Sequence, residues 1–307
     1  MPGEDMHETI RVVLGELPDL PHLPELPGRG VTAGMIGRTL GTISHLGFDL
    51  QPAGWRLTDA PGVDHRRATS LLAQDLDALE ELTEGLEGPF KVQMTGPWTL
   101  AAMVEKPRGD KVLADVGARR DLAQALAEGV RQHLDDVRRR VPGASVLLQL
   151  DEPALPAVLH ARVPTASGFG KHRAVHPPEA SALLEEVIVD TGAVVHCCAA
   201  DVPIGLLRGA GAGGISLDAN LLTAAAYDDI GRLLDDGDRL FLGLDAPSAK
   251  AMTERVLRLL DMIGYGPDEV GEQLVLSPPC GLAGSTEADM RTALTRVRDS
   301  AAALTRG

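Results

Sequence analysis

One histidine and two cysteines stand where they could bind a metal ion together. His196 and Cys198 are one residue apart at the end of a predicted strand, and Cys280 follows another. Side chains alternate along a strand, so His196 and Cys198 point to one side while Cys197 points to the other. A histidine with two cysteine sulfurs is a ligand set that zinc prefers. The alternative is that these cysteines are buried and only pack, as free cysteines commonly do.

Carboxylates follow two further apolar runs. Asp218 comes directly after Gly214–Leu217, where it could complete a tetrahedral zinc site or cap a helix. Asp151 and Glu152 come directly after Val146–Leu150. A buried carboxylate at such a position needs a cation or hydrogen-bond donors, and a substrate ammonium is one such cation. The alternative for both acids is stabilisation of a helix N-terminus.

Thr95, Gly96 and Pro97 follow another apolar run, at a predicted junction between a strand and a helix. Glycine allows a close backbone approach, and proline suits the first turn of a helix. Thr95 is therefore either a substrate contact or a cap.

These residues end short apolar runs that alternate with long amphipathic segments, as in βαβ units. The predicted strands are Phe90–Met94, Val146–Leu150, Ala193–Cys197, Gly214–Leu217, Leu240–Leu244 and Leu274–Ser277. The predicted helices are Trp98–Val104, Val112–Arg140, Pro178–Thr191, Val202–Gly209, Ala224–Asp236, Ala249–Ile263 and Glu287–Ala303. This order favours an α/β fold of the (β/α)8 TIM-barrel type, whose active sites lie at the carboxyl ends of the strands. A doubly wound open sheet is the alternative.

The first ninety residues do not follow this rhythm. Helices are predicted at Asp5–Leu17, Ala33–Leu46 and Asp64–Glu84, whereas Pro18–Gly30 carries four prolines and is predicted to be extended or irregular. Two of the eight strands of a full barrel are thus unaccounted for. We expect residues 1–307 to form a single domain.

Composition excludes several classes of partner. The chain has 307 residues, 44% of them apolar, and a net charge of −15, which opposes binding to nucleic acid or anionic membranes. Three cysteines cannot form a disulfide framework, and no apolar run approaches the roughly 20 residues that cross a bilayer. Without a signal-peptide pattern, the sequence predicts a cytoplasmic protein.

Five segments together resemble the catalytic half of the cobalamin-independent methionine synthase family. They are Thr95–Thr99, Gln149–Leu155, His196–Cys198, Ser216–Asp218 and Pro279–Leu282. That family belongs to a barrel superfamily with uroporphyrinogen decarboxylase and zinc-dependent alkyl-thiol transferases. The resemblance implies a zinc-dependent methyltransferase that converts homocysteine to methionine.

The resemblance also implies roles for individual residues. His196, Cys198 and Cys280 would bind Zn²⁺, with Asp218 standing where the family usually has a glutamate. Asp151 falls on the position that holds the amino group of homocysteine or methionine. With Glu152 and Thr95 these residues form the predicted site.

Two departures from the family affect the expected fold and donor. The family's first strand carries an Ile-Gly-Ser-x-Pro motif, whereas this chain opens with Met1, Pro2 and Gly3, so we expect that strand to be missing or atypical. The family's folate-binding acid, six places after Asp151, is replaced by Ala157. The expected donor is therefore methyltetrahydrofolate or a methylcorrinoid, the latter free or on a corrinoid protein.

Two other functions stay open at this stage. A zinc-bound thiolate also suits alkyl transfer to another small thiol such as coenzyme M. A barrel that has lost its amino-acid-binding strand could instead bind metal without turnover.

Overall fold

A computed structural model of the chain describes residues 1–188 and 191–305. The strands are β1 (Gly47–Gln51), β2 (Gly54–Thr58), β3 (Gly88–Thr95), β4 (Ala144–Asp151), β5 (Val194–Cys197), β6 (Gly214–Asp218), β7 (Arg239–Gly243) and β8 (Leu274–Ser277). The α-helices are α1 (Met6–Glu16), α2 (Met35–Leu40), α3 (Val63–Leu82), α4 (Pro97–Met103), α5 (Val116–Arg140), α6 (Leu155–Leu159), α7 (Pro177–Ile188), α8 (Ile204–Gly209), α9 (Ala224–Asp235), α10 (Ala249–Ile263), α11 (Pro267–Val270) and α12 (Glu287–Leu304).

Strands β3 to β8 form one parallel sheet in chain order. Helices connect successive strands, and within the described residues the sheet curls into part of a TIM-type barrel, with six strands in place of the usual eight. All six predicted parallel strands and the α/β class are confirmed. Because the strands run in parallel, the ends of β4, β5 and β6 meet at one edge, which brings the predicted site residues together.

The two edges of this sheet are not joined by a regular strand among the described residues. At the β3 edge, the backbone N–H of Leu23 donates to the carbonyl of Lys91 at 2.9 Å, and that of Lys91 donates to the carbonyl of Pro21 at 2.8 Å. This short parallel contact, centred on His22, is the only backbone pairing that the described proline-rich segment makes with the sheet. The expectation of a missing or atypical first strand agrees with this open side.

A buried ion cluster holds the proline-rich segment against helix α3. The Arg29 guanidinium donates to both carboxylate oxygens of Asp75, at 2.7 and 2.8 Å, and Arg38 donates to the same carboxylate at 2.6 Å. Because a lone buried charge is costly, the two arginines and the aspartate depend on each other. The segment is thereby fixed in place without regular secondary structure.

The prediction of a helix over Ala33–Leu46 is wrong in its second half. Helix α2 ends at Leu40, and the chain enters the β1–β2 hairpin, which the sequence pattern did not indicate. A side-chain carbon at Gly41 would lie 3.0 Å from the backbone of Ala68 in α3. Glycine at the end of α2 therefore allows α2 and α3 to approach closely.

The other helix predictions agree with the structure within a few residues. The predicted segment Val112–Arg140 divides into a short 3-10 turn and α5, because the Asp115 carboxylate accepts from the backbone of Ala118 and starts the longer helix. Positions 189 and 190 of the predicted helix Pro178–Thr191 lie outside the described residues. No helix within 1–188 or 191–305 is long and apolar enough to cross a membrane.

Candidate metal centre

The three predicted sulfur and nitrogen ligands converge at the carboxyl ends of β5 and β8. One ligand atom each from His196, Cys198 and Cys280 lies within 4.8 Å of the others. The two Sγ atoms are 3.7 Å apart. Two sulfurs at about 2.3 Å from one tetrahedral zinc ion would be about 3.8 Å apart. The donor set and its spacing therefore fit zinc.

Ser216 orients the imidazole of this group. His196 and Ser216 are paired positions on β5 and β6, and His196 Nδ1 lies 2.8 Å from the Ser216 hydroxyl oxygen. The serine is only 5% exposed. With Nδ1 engaged, Nε2 is the nitrogen left to bind a metal, the usual arrangement at metal-bound histidines.

The two sulfurs differ in acidity because they interact with each other. The hydrogen bonds with Cys198 and with His196 lower the pKa of Cys280 to about 4. The same interaction with Cys280, together with burial, raises the pKa of Cys198. Cys197 is fully buried on the opposite side of β5, and burial raises its pKa to about 12. The predicted alternation of these side chains is thus present.

Asp218 lies outside the group of three. Its Oδ1 accepts from the backbone N–H and the side-chain amide of Asn220, at 2.8 and 2.7 Å. It thereby caps the 3-10 helix Ala219–Leu221, which is the structural alternative weighed from the sequence.

Asp151 lines the same cavity as the three candidate ligands. It is buried at the end of β4, and its Oδ1 accepts from the Gln149 side-chain amide at 2.7 Å. Burial raises the pKa of Asp151, while the nearby His196 opposes that change. A carboxylate that is buried beside a cavity with a single neutral donor is well placed to bind an ammonium group.

Glu152 points the other way and is 0% exposed. Its carboxylate accepts from the backbone N–H groups of Trp98 and Thr99, both at 2.8 Å, and from the Thr99 hydroxyl at 2.7 Å. Burial raises the pKa of Glu152 to about 7 against the effect of these donors. A side-chain carbon at Gly96 would lie 2.4 Å from this carboxylate. Glu152 thus caps the N-terminus of α4 by accepting hydrogen bonds from its first turn.

Thr95 is also used within the protein. Its hydroxyl donates to the carbonyl of Met35 at 2.9 Å, and its backbone N–H donates to the Thr39 hydroxyl at 2.8 Å. The residue is 0% exposed. These contacts join β3 to helix α2, so the threonine serves as a packing contact in the described structure.

A cavity of about 1510 Å³ extends from the candidate metal ligands through the barrel to the amino-terminal ends of the strands. Polar side chains that were not among the predicted site residues line it: Glu25, Lys91, Gln93 and Gln149. A signal was present in the sequence, because Lys91, Gln93 and Gln149 occupy alternate positions of otherwise apolar strands and therefore share the inward face.

Comparison with known proteins identifies the family. The sequence profile described as "Cobalamin-independent synthase, Catalytic domain" matches residues 80–303, which is most of the chain. Among curated proteins no significant match is found. The solved structure of a B12-independent methionine synthase from Shewanella sp. W3-18-1, in complex with selenomethionine, is similar in fold, with a TM-score of 0.61 and 14% sequence identity. The similarity covers 98% of this chain and 88% of that one.

Proposed function

The chain belongs to the cobalamin-independent methionine synthase family, a family of methyltransferases, and we propose that it methylates the thiol of homocysteine to give methionine. We further propose that His196, Cys198 and Cys280 hold Zn²⁺. The observation that carries this proposal is the convergence of two sulfurs, 3.7 Å apart, and one imidazole at the mouth of the cavity. We take residues 1–307 to be one catalytic domain located in the cytoplasm.

Zinc at this position would supply Lewis acidity that lowers the pKa of a bound thiol, so that it reacts as a thiolate at neutral pH. The three protein ligands leave one tetrahedral position. Asp218 is the candidate ligand for that position before the substrate sulfur arrives. Its Oδ1 is already shared with Asn220, so Oδ2 is the oxygen that it would offer.

Asp151 is the proposed contact for the substrate ammonium. It lies at the paired position next to His196 on the neighbouring strand, so an amino acid with its sulfur at the metal centre could reach it with its amino group. Glu152 and Thr95, both predicted to contact substrate, are proposed to position helices α4 and α2 around the site instead. Their side chains bond inside the protein.

Methyltetrahydrofolate is the donor we propose. The description of the matched family as cobalamin-independent gives no support to a corrinoid or a corrinoid protein. The cavity opens beside His196, Cys198 and Cys280, where a donor would have to approach the substrate sulfur.

Formation of methionine tests the proposal. The zinc-loaded protein, kept reduced, is incubated with L-homocysteine and methyltetrahydrofolate, and methionine is measured by mass spectrometry; parallel reactions contain methylcobalamin as donor. We expect methionine with methyltetrahydrofolate and none with the His196→Ala variant. A zinc-loaded protein that forms methionine from neither donor would contradict the proposed function. Methionine from methylcobalamin alone would contradict only the proposed donor.

Asp151 favours an amino-acid thiol over coenzyme M. Coenzyme M carries a sulfonate and no amino group, so it would bring a second negative charge toward a buried carboxylate. We expect homocysteine, and not coenzyme M, to raise the melting temperature of the zinc-loaded protein.

A further inference from the structure

Inside the cavity, the Lys91 ammonium and the carboxylates of Asp151 and Glu25 face the same space, and Lys91 forms an ion pair with neither of them. Lys91 projects inward from β3, Asp151 lies at the end of β4, and Glu25 lies in the segment beside β3. Among the described residues, no carboxylate oxygen lies within 4.0 Å of the Lys91 ammonium. Its nearest hydrogen-bond acceptor is the side-chain oxygen of Gln93, at 3.3 Å.

The three charges nevertheless act on one another. Burial lowers the pKa of Lys91, and both Asp151 and Glu25 oppose that change. Burial also raises the pKa of each carboxyl group. Glu25 lies 3.6 Å from the Arg38 guanidinium, so Lys91 and Asp151 are the two charges of this group without an ionic partner among the described residues. Buried charges without a partner are costly, and a ligand that carries both signs would relieve that cost.

Two glutamines lie between the Lys91 ammonium and Asp151 along the cavity wall. Gln93 and Gln149 are paired positions on β3 and β4. Gln93 accepts from Lys91, and Gln149 donates to Asp151. Asp151 pairs with Thr95, so the Cα atom of Lys91 lies four residues before that position, about 13 Å along the strand. The long side chain of Lys91 spans part of that distance. The space between the two charged ends belongs to the same cavity, which Lys91, Gln93, Gln149 and Asp151 all line.

Other cationic side chains along the cavity are less suited to this position. They include His22, Arg239 and Arg298. Arg298 is paired with Glu16 at 2.8 Å, and Arg239 is exposed at the opposite end of the barrel. Apart from His196, Lys91 is the cation whose charge acts on Asp151.

We propose that Lys91 binds the α-carboxylate of the amino-acid substrate while Asp151 binds its ammonium group, so that this pair selects zwitterionic α-amino acids. The proposal rests on the proposed function, because it takes the substrate to be an amino-acid thiol.

A comparison of two thiols tests the ligand side of this proposal. L-Homocysteine and 3-aminopropane-1-thiol share the thiol and the amine, and only the former has a carboxylate. Binding of both to the zinc-loaded wild-type protein is measured by isothermal titration calorimetry under reducing conditions. We expect homocysteine to bind roughly 10- to 100-fold more tightly, the value of a hydrogen bond between charged groups.

Substitution of the lysine tests the protein side. We expect Lys91→Met to weaken homocysteine binding by the same roughly 10- to 100-fold and to leave aminopropanethiol binding within about twofold. Lys91→Arg keeps the charge and should retain most of the affinity. Arg239→Met removes another cation that lines the cavity and should change neither affinity. If Lys91→Met does not fold, Lys91→Gln replaces it in the same comparison.

Three results would overturn the proposal. The wild-type protein binds both thiols equally, or Lys91→Met binds homocysteine as the wild type does, or the variant loses affinity for both thiols to the same extent. Each of these leaves the proposed function standing. A zinc-loaded wild-type protein that binds neither thiol would refute the proposed function and this inference together.

Discussion

Replacement of Ser216 by alanine should weaken zinc binding without disturbing the fold. The Ser216 hydroxyl lies 2.8 Å from His196 Nδ1 and is nearly inaccessible to water. Removing it leaves the imidazole free to rotate and leaves Nδ1 without its partner. The two sulfur ligands are not touched by this change.

The size of the effect follows from the removal of one hydrogen bond to a metal-binding histidine. Removing such an outer hydrogen bond typically lowers metal affinity 10- to 100-fold. That corresponds to roughly 1.4–2.7 kcal/mol in binding free energy. We expect Ser216→Ala to fall within this range, and Ser216→Thr, which keeps the hydroxyl, to stay close to the wild type.

The assay is competition for zinc with a chromophoric chelator under reducing conditions. Ser277→Ala is the matched control, because Ser277 also lines the cavity but belongs to β8. An unchanged zinc affinity in Ser216→Ala would show that the hydroxyl does not orient a metal-bound histidine. Equal losses in Ser216→Ala and Ser277→Ala would show that the effect is general to the cavity.

Three further predictions concern stability. Gly96→Ala forces a carbon against the Glu152 carboxylate and should lower the unfolding free energy by roughly 1–3 kcal/mol in urea denaturation, whereas Gly231→Ala, with open space around it, should not lower it. The pKa of Glu152 rises on folding from 4.5 to about 7, so the folded chain binds this proton more tightly than the unfolded chain does. The unfolding free energy of the wild type, relative to that of Glu152→Gln, should therefore fall by roughly 3 kcal/mol as pH rises through that interval. A difference between the two proteins that does not change with pH would contradict this. Asp75→Ala leaves the partly buried Arg29 and the buried Arg38 without their shared carboxylate, while Arg38 keeps Glu25 at 3.6 Å. It should cost roughly 3 kcal/mol, whereas the exposed Asp135→Ala should change stability by no more than about 0.5 kcal/mol.

The six parallel strands can be predicted from the sequence because each is an almost unbroken apolar run between turn residues. For example, the predicted limits of β8, Leu274–Ser277, are those observed. Convergence of His196, Cys198 and Cys280 follows from the same pattern, because parallel strands bring their carboxyl ends to one edge. Local sequence therefore predicts both the sheet and the convergence of the three candidate metal ligands.

Features that depend on long-range contacts cannot be predicted in this way. The β1–β2 hairpin is completed by Glu105, whose backbone bonds to Trp55 and Leu57, about fifty residues earlier in the chain. The role of Glu152, the second acid after the apolar run of β4, could not be predicted from the sequence. Its hydrogen-bond partners lie on α4, which is distant in sequence. Polar residues in the apolar strand β3, above all Lys91, give an overlooked signal, since alternation alone places them in the cavity.

X-ray absorption at the zinc edge tests the central claim most directly. On the reduced protein, loaded with zinc and freed of excess metal, we expect one zinc per chain with two sulfur neighbours at about 2.3 Å and at least one nitrogen at about 2.0–2.1 Å. The sulfur signal should be lost in a Cys198→Ala, Cys280→Ala double variant. A wild-type protein that retains no zinc, or whose zinc has only nitrogen and oxygen neighbours, would contradict the assignment of His196, Cys198 and Cys280 as its ligands.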